Sequence, residues 1–321
     1  MTVSPIALFV SNRLEATEAV LESLSESDLA DQSELTVFCD GPRSPEESDR
    51  VEHVRAIVRE ATGFKAVHIV ERPEHVGHSR SVISGVTQVL EDRDALIVVE
   101  DDLILSPHFL PFMNEALTVY ADEERVVSIS GYSYPYRGQG PQTFFLPGTH
   151  CWGWATWRRG WAIFEQDATK LLEEIVQRDL IYAFDAGGAE PLTQLLQRSV
   201  FEKGDIDSWV LRWIASAIAN EKLTLYPGRS LVHNARLGSS LPTELSERAW
   251  ADRPPRVGHV PVESDVAALR QIRSAFIRQR SRRSHKVRLF SLLAPLLPFG
   301  LEKSLYSALI RRSLRRYGGS S

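Results

Sequence analysis

Apolar and polar positions in the first 130 residues follow two alternating periods. Short apolar runs lie at residues 5–10, Leu35–Cys39, Ala66–Val70, Ala95–Val99 and Val126–Ser130. They are rich in β-branched side chains and predict strands. Ala95–Val99 does not alternate at all, which marks it as buried on both faces. Between the runs, apolar residues recur at helical spacing. Leu14, Val20, Leu21 and Leu24 form one stripe, Val51, Val54, Ile57 and Val58 a second, and Ser81 to Leu90 carries a third. Asp40-Gly41-Pro42 is a turn signal closing the second strand. Ser106-Pro107 reads as the N-cap and first position of a further helix. Strand and helix therefore alternate, the pattern of an α/β, mostly parallel, doubly wound sheet flanked by helices.

After residue 131 the character changes. Tyr132, Tyr134, Tyr136, Phe144, Phe145, Trp152, Trp154, Trp157, Trp161 and Phe164 crowd into one stretch. Such bulky rings with a polar edge form either a packed sub-core or a platform on which sugars stack.

The fourth strand runs directly into Glu100-Asp101-Asp102. A solvated acidic loop would read the same way. At the end of a buried strand, however, three adjacent carboxylates repel one another and call for a counter-charge. A divalent cation carrying a phosphate-bearing ligand supplies it, at the edge where α/β sheets bind nucleotides.

Composition changes this picture only in places. The chain has 321 residues, 43% hydrophobic and 25% charged, enough for one large α/β domain with an appendage. No apolar run reaches the ~18 residues of a membrane span. The N-terminal residues lack a basic leader and read as a first strand. Cys39 and Cys151 give neither a disulfide framework nor metal-ligand spacing, which suits a reducing cytoplasm. Charge is uneven. From Arg270 to Ser321 there are 13 Arg and Lys against one acid, Glu302, a net +12, whereas residues 1–269 carry a net −17. A basic tail on an acidic body predicts an anionic partner for the tail.

Ser11-Asn12-Arg13, Cys39-Asp40-Gly41 and Glu100-Asp101-Asp102, each at a strand end, together resemble a GT-A glycosyltransferase of the family-2-like kind. The Glu-Asp-Asp form, followed by Cys151-Trp-Gly-Trp-Ala-Thr-Trp157 and Asp207-Ser208-Trp209, is similar to the N-acetylglucosaminyltransferase I type. The resemblance spans residues 4–236 and implies a role for each matching position. Asp102 would contact a Mn²⁺ or Mg²⁺ ion on the diphosphate of a nucleotide-sugar. Glu100 and Asp101 would bond the donor's sugar or ribose. Asp40 would bind the base or ribose, and Arg13 the nucleotide. Arg72, Gly77 and Ser81 fall in the segment that closes over the nucleoside and opens a helix. Asp207 would be the catalytic base, with Asp205 as fallback, unless it is only the N-cap of the helix that follows. Trp152, Trp154 and Trp209 would bind the acceptor. The pattern departs from the subgroup after Leu225–Asn234, because Ala235 to Pro242 lacks the later His. His233 could compensate, although a lone His beside a strand is more often structural.

The resemblance implies a metal-dependent, inverting transfer of a hexosyl or N-acetylhexosaminyl group from a UDP-sugar to a glycan or lipid-linked acceptor, as in polysaccharide biosynthesis. A nucleotidyltransferase is the rival enzyme, but the Gly-rich signature loop it normally shows near the first strand is missing. An inactive GT-A-like binding module is the rival non-enzyme. The expected organisation is a GT-A domain over residues 1–262, with a nucleotide-sugar half at 1–130 and an acceptor half at 131–262. A basic amphipathic helical extension follows over 263–321. Within it, 278–316 alternates Arg and Lys with the apolar, Pro-broken stretch Leu289–Phe299. This predicts contact with an anionic membrane surface and a peripheral position on the inner face of the plasma membrane. Nucleic acid is not expected, since the body is acidic and no nucleic-acid motif occurs.

Overall fold

The computed structural model describes residues 3–133, 141–188, 190–202, 207–235, 253–258, 260–271 and 299–314. The chain divides into two compact units. The first comprises Met1–Phe144, His150–Ala162 and Thr224–Val262, and the second Phe145–Thr149, Ile163–Leu223 and Glu263–Ser321.

The first unit opens with the predicted alternation: β1 (Ile6–Val10), α1 (Leu14–Ser25), β2 (Glu34–Cys39), α2 (Ser48–Arg59), β3 (Ala66–Glu71), α3 (His78–Asp92) and β4 (Ala95–Glu100). β5 (Leu103–Leu105), α4 (Phe109–Val119), β6 (Val126–Ser130), β7 (Thr143–Pro147, its last three residues grouped with the second unit), β8 (Trp154–Trp157) and α5 (Arg158–Trp161) follow. β9 (Leu223–Pro227) and β10 (Val232–Asn234) come later in the chain. The fold is α/β. Eight strands form one mixed sheet in the order β3-β2-β1-β4-β8-β6-β9-β7. β1 pairs in parallel with β2 and β4, and β2 with β3. β8 runs antiparallel to both β4 and β6.

Position in the sheet explains the apolar pattern. β1 and β4 are central, and every residue of β1 is buried. β3 lies at the edge, and none of its residues is fully buried. Val51, Val54 and Val58 bury the inner stripe of α2, while Ile57 is only half-buried. α3 packs against the sheet at Gly85, where a Cβ would meet the Phe9 ring at 2.5 Å and the Phe38 ring at 3.1 Å. Those two rings stack at 5.0 Å. One expected cap is displaced. α4 begins at Phe109, and Ser106 instead closes the preceding turn, its carbonyl accepting the Phe109 N–H and its hydroxyl the His108 N–H.

The second unit is helical: α6 (Ala168–Gln177), α7 (Ile181–Phe184), α8 (Leu192–Phe201), α9 (Trp209–Ala219) and a C-terminal α10 (Phe299–Leu314). Leu171, Ile175, Ile181, Phe184, Leu196, Ala215 and Ile218 form its core together with Tyr306 and Ile310 of α10. A buried polar network lies beside them. Asp185 accepts hydrogen bonds from Thr193 N, Thr193 Oγ1 and Tyr306 Oη, and Tyr182 Oη donates to Glu302. Of the expected 263–321 extension, α10 packs into this core through Tyr306 and Ile310.

Candidate active site

The strand order reverses between β1 and β4, the switch point at whose carboxyl edge α/β sheets bind ligands. Ser11, Arg13, Asp101 and Asp102 meet there. The Asp101 carboxylate is buried and takes three donors. Ser11 N–H lies at 3.0 Å and Ser11 Oγ at 2.9 Å, and Arg13 Nη2 forms a close ion pair. Burial pushes the Asp101 carboxyl up, against the pull of Arg13 and Ser11. The neighbouring Asp102 has a different environment. Its side chain is 15% exposed, and its carboxylate is engaged among the described residues only by Arg13 Nη1 at 3.7 Å. That Nη1 atom is itself buried without a hydrogen-bond partner. Asp102 is held through its backbone, its carbonyl accepting Ala235 N–H at 2.9 Å where β10 pairs antiparallel with β5. His233 lies in the same ladder opposite Ile104.

Glu100 pairs with a residue the sequence did not flag. His78, the first residue of α3, places Nε2 2.9 Å from Glu100 Oε2. Burial lifts the Glu100 carboxyl, and the bond to Glu100 lifts His78. Asp40 sets up this contact. Its carboxylate accepts Gly41 N–H at 3.0 Å, Val76 N–H at 3.0 Å and Gly77 N–H at 3.1 Å, with His75 Nδ1 at 2.8 Å. Gly77 takes φ +86, a conformation that favours glycine, and the helix starts at the next residue. Asp40 is therefore the anchor of the loop that opens α3. Arg72, the residue after β3, bonds α3 itself, with Nη2 on the Ser81 carbonyl at 3.3 Å and on Ser84 Oγ at 2.8 Å. The Ser81 side chain is buried in the first turns of α3, so its backbone carbonyl is what meets Arg72. Asp40 lies 38 residues before His78 and Glu100 lies 22 after it, so no short motif records these contacts and the His78–Glu100 pair was not legible.

The aromatic segment splits in two. Trp152 stays partly exposed and packs with Tyr132 at 4.6 Å and His150 at 4.9 Å, both edge-on. Tyr132 and His150 also stack at 4.7 Å. Burial drives His150 down to about 3, so its ring is neutral at pH 7. The antiparallel register Val98–Trp154–Ser130 puts this trio at the carboxyl ends of β4 and β6, the edge that carries Glu100–Asp102. The backbones approach closely there, with Gly131 N–H on the Gly153 carbonyl, and a Cβ at Gly131 would meet that oxygen at 2.8 Å. Trp154 and Trp209, expected at the acceptor, are buried. Their exposures are 0% and 1%, so both are core side chains and present no face to an acceptor.

Asp207 belongs to the second unit and is 67% exposed. It does not cap the helix, because Ser208 is the N-cap of α9 and its hydroxyl accepts Leu211 N–H. Arg212 Nη2 pairs with Asp207 Oδ1 at 2.8 Å. Asp205, Tyr134, Tyr136, the 236–242 loop and 278–298 lie outside the described residues.

Among the described residues, no group of three His, Cys, Asp or Glu side chains could hold a metal ion. One lightly engaged carboxylate does suit a Mg²⁺ or Mn²⁺ ion, which takes one or two carboxylates and completes its shell with phosphate oxygens and water.

No protein-family model matches the chain, and no curated protein matches it either. Among solved structures, S. aureus TarS 1-349 is similar at 11% identity with a TM-score of 0.41, over 94% of this chain and 78% of that one. A score that low carries no function across from one chain to the other.

Proposed function

We propose that the chain is a metal-dependent, inverting glycosyltransferase that moves a hexosyl or N-acetylhexosaminyl group from a UDP-sugar to a glycan or lipid-linked acceptor. The observation that carries the reading is the arrangement at the β1/β4 edge. There a buried guanidinium N–H without a hydrogen-bond partner sits beside Asp102, whose carboxylate has no close donor among the described residues.

The charges argue for a cation. Three carboxylates face one guanidinium and one imidazole. A diphosphate brought to that edge would be repelled by Asp102 at short range. A Mn²⁺ or Mg²⁺ ion bound by Asp102 would offset this repulsion and the charge that develops on the departing diphosphate. Arg13, fixed by Asp101 and Ser11, offers Nη1 to a phosphate oxygen as a charged donor. Glu100, held on one oxygen by His78, offers the other to a sugar hydroxyl. Trp152, with Tyr132 beside it, gives an apolar ring for a pyranose face. A carboxylate, for which the resemblance names Asp207, would take the proton from the acceptor hydroxyl as that oxygen bonds to the anomeric carbon. The bond from that carbon to the diphosphate breaks on the opposite face, and its configuration inverts.

The test is product analysis with a panel of nucleotide-sugars and Mn²⁺. Release of nucleoside diphosphate with a β-linked product from an α-linked donor supports the reading, and retention of configuration contradicts it. Release of pyrophosphate would instead assign the nucleotidyl chemistry of the rival enzyme.

A further inference from the structure

Four large hydrophobic side chains are exposed among the described residues: Phe201, Val266, Leu301 and Leu305. The last two lie one turn apart on α10, 49% and 48% exposed. Their stripe continues through Ala308 and Arg312, both exposed, at the i+7 and i+11 positions. The opposite face of the helix is committed. Tyr306 and Ile310 are buried in the core of the second unit, and Tyr306 Oη bonds Asp185 at 2.8 Å. Arg311 pairs with Asp179 at 2.9 Å. These contacts fix the rotation of α10 about its axis, so the Leu301–Leu305–Ala308–Arg312 stripe faces outward by construction.

The chemistry of the occupant follows from charge and size. Residues 270–321 carry a net +12, and Arg278, Arg280, Arg282, Arg283, Lys286 and Arg288 precede the helix. A stable protein interface buries about 800 Å² on each partner, far more than a stripe of two leucines and an alanine provides. Nucleic acid would exploit the charge but gives the leucines nothing to bury against. An anionic lipid surface uses both features, because shallow apolar insertion and attraction to headgroups add together.

We propose that the outer face of α10 is a membrane-docking surface, with Leu301 and Leu305 entering the headgroup boundary of an anionic bilayer and Arg312 engaging lipid phosphate. The site is independent of the donor-binding edge and stands or falls separately from the glycosyltransferase reading.

The experiment is flotation of the full chain with vesicles of phosphatidylcholine alone or mixed with phosphatidylglycerol, in low and high salt. The full chain is expected to float with the mixed vesicles, less so in high salt, and poorly with phosphatidylcholine alone. The double variant Leu301→Ser/Leu305→Ser should lose about tenfold or more in partitioning. Arg312→Ser should weaken binding by a smaller factor and reduce its dependence on salt. Hydrogen exchange over 181–201 and 299–314, unchanged in both variants, would show that α10 remains docked. The proposal is overturned if the full chain does not float with the mixed vesicles. It is also overturned if the double variant partitions like the wild type with α10 docked, or if light scattering shows that the leucines instead support a dimer.

Discussion

Asp185 gives the sharpest test of how the second unit is held together. Its carboxyl is fully buried. It is raised from 3.8 to about 7, first by burial, against the opposing hydrogen bonds from Thr193 and Tyr306. The acid therefore keeps its proton in the folded state over a range where the unfolded chain has lost it. Stability from this group is complete below the unfolded value and is lost as pH rises through about 7. The shift spans about three pH units, and at about 1.36 kcal/mol per unit it amounts to roughly 4 kcal/mol. About 3 kcal/mol of this lies between pH 5 and 8. Asp185→Asn keeps an acceptor for Thr193 and an amide for Tyr306 but does not titrate. The assay is hydrogen exchange of the 181–201 peptide, read as an opening free energy at several pH values. The difference between Asp185→Asn and wild type should shift by about 3 kcal/mol in favour of the variant from pH 5 to pH 8. A difference that stays constant across that range would refute the reasoning.

Other outcomes follow from the same contacts. Arg13→Met leaves the buried Asp101 carboxylate without its guanidinium and should cost about 2–3 kcal/mol in thermal unfolding, with Asp101→Asn recovering part of the loss. Trp154→Ala empties a fully buried site and should destabilise by about 3–5 kcal/mol, whereas Trp152→Ala should cost far less stability yet weaken sugar binding, measured by titration calorimetry. Asp207→Asn should cut transfer by about 10²-fold or more while leaving donor affinity near normal, read by steady-state kinetics beside calorimetry. His78→Ala should weaken binding of a nucleotide-sugar more than of the bare nucleoside diphosphate, and His78→Gln should restore part of the difference.

The parallel half of the sheet was legible because each central strand is buried on both faces and each intervening helix on one. Period alone then separates the two. Three adjacent acids call for a counter-charge, which the sequence pointed to as a divalent cation; the pairs Arg13–Asp101 and His78–Glu100 were not anticipated, because their partners lie far apart along the chain. Other features were not legible for definite reasons. β5 and β10 have three residues each and define one another only by pairing. Trp154 and Trp209 have the composition of a sugar platform, and only the register of β8 and the start of α9 put them inside. Asp40 matched a nucleotide-binding position by order along the chain, while its carboxylate is occupied by the backbone of 76–77. The tail looked separate because its charge differs so much from that of the body, yet Tyr306 and Ile310 tie α10 into a core.

The central claim is that Asp102 and Arg13 receive a cation-bridged diphosphate at the β1/β4 edge. Calorimetric titration of UDP and of UDP-sugars, with and without Mn²⁺, into wild type and Asp102→Ala tests it most directly. The account predicts saturable binding to the wild type that requires Mn²⁺, and loss of that binding in Asp102→Ala with the fold retained, since this side chain makes only a 3.7 Å contact among the described residues. Equal affinity with and without the ion, or an Asp102→Ala variant that binds as well as the wild type, would contradict it.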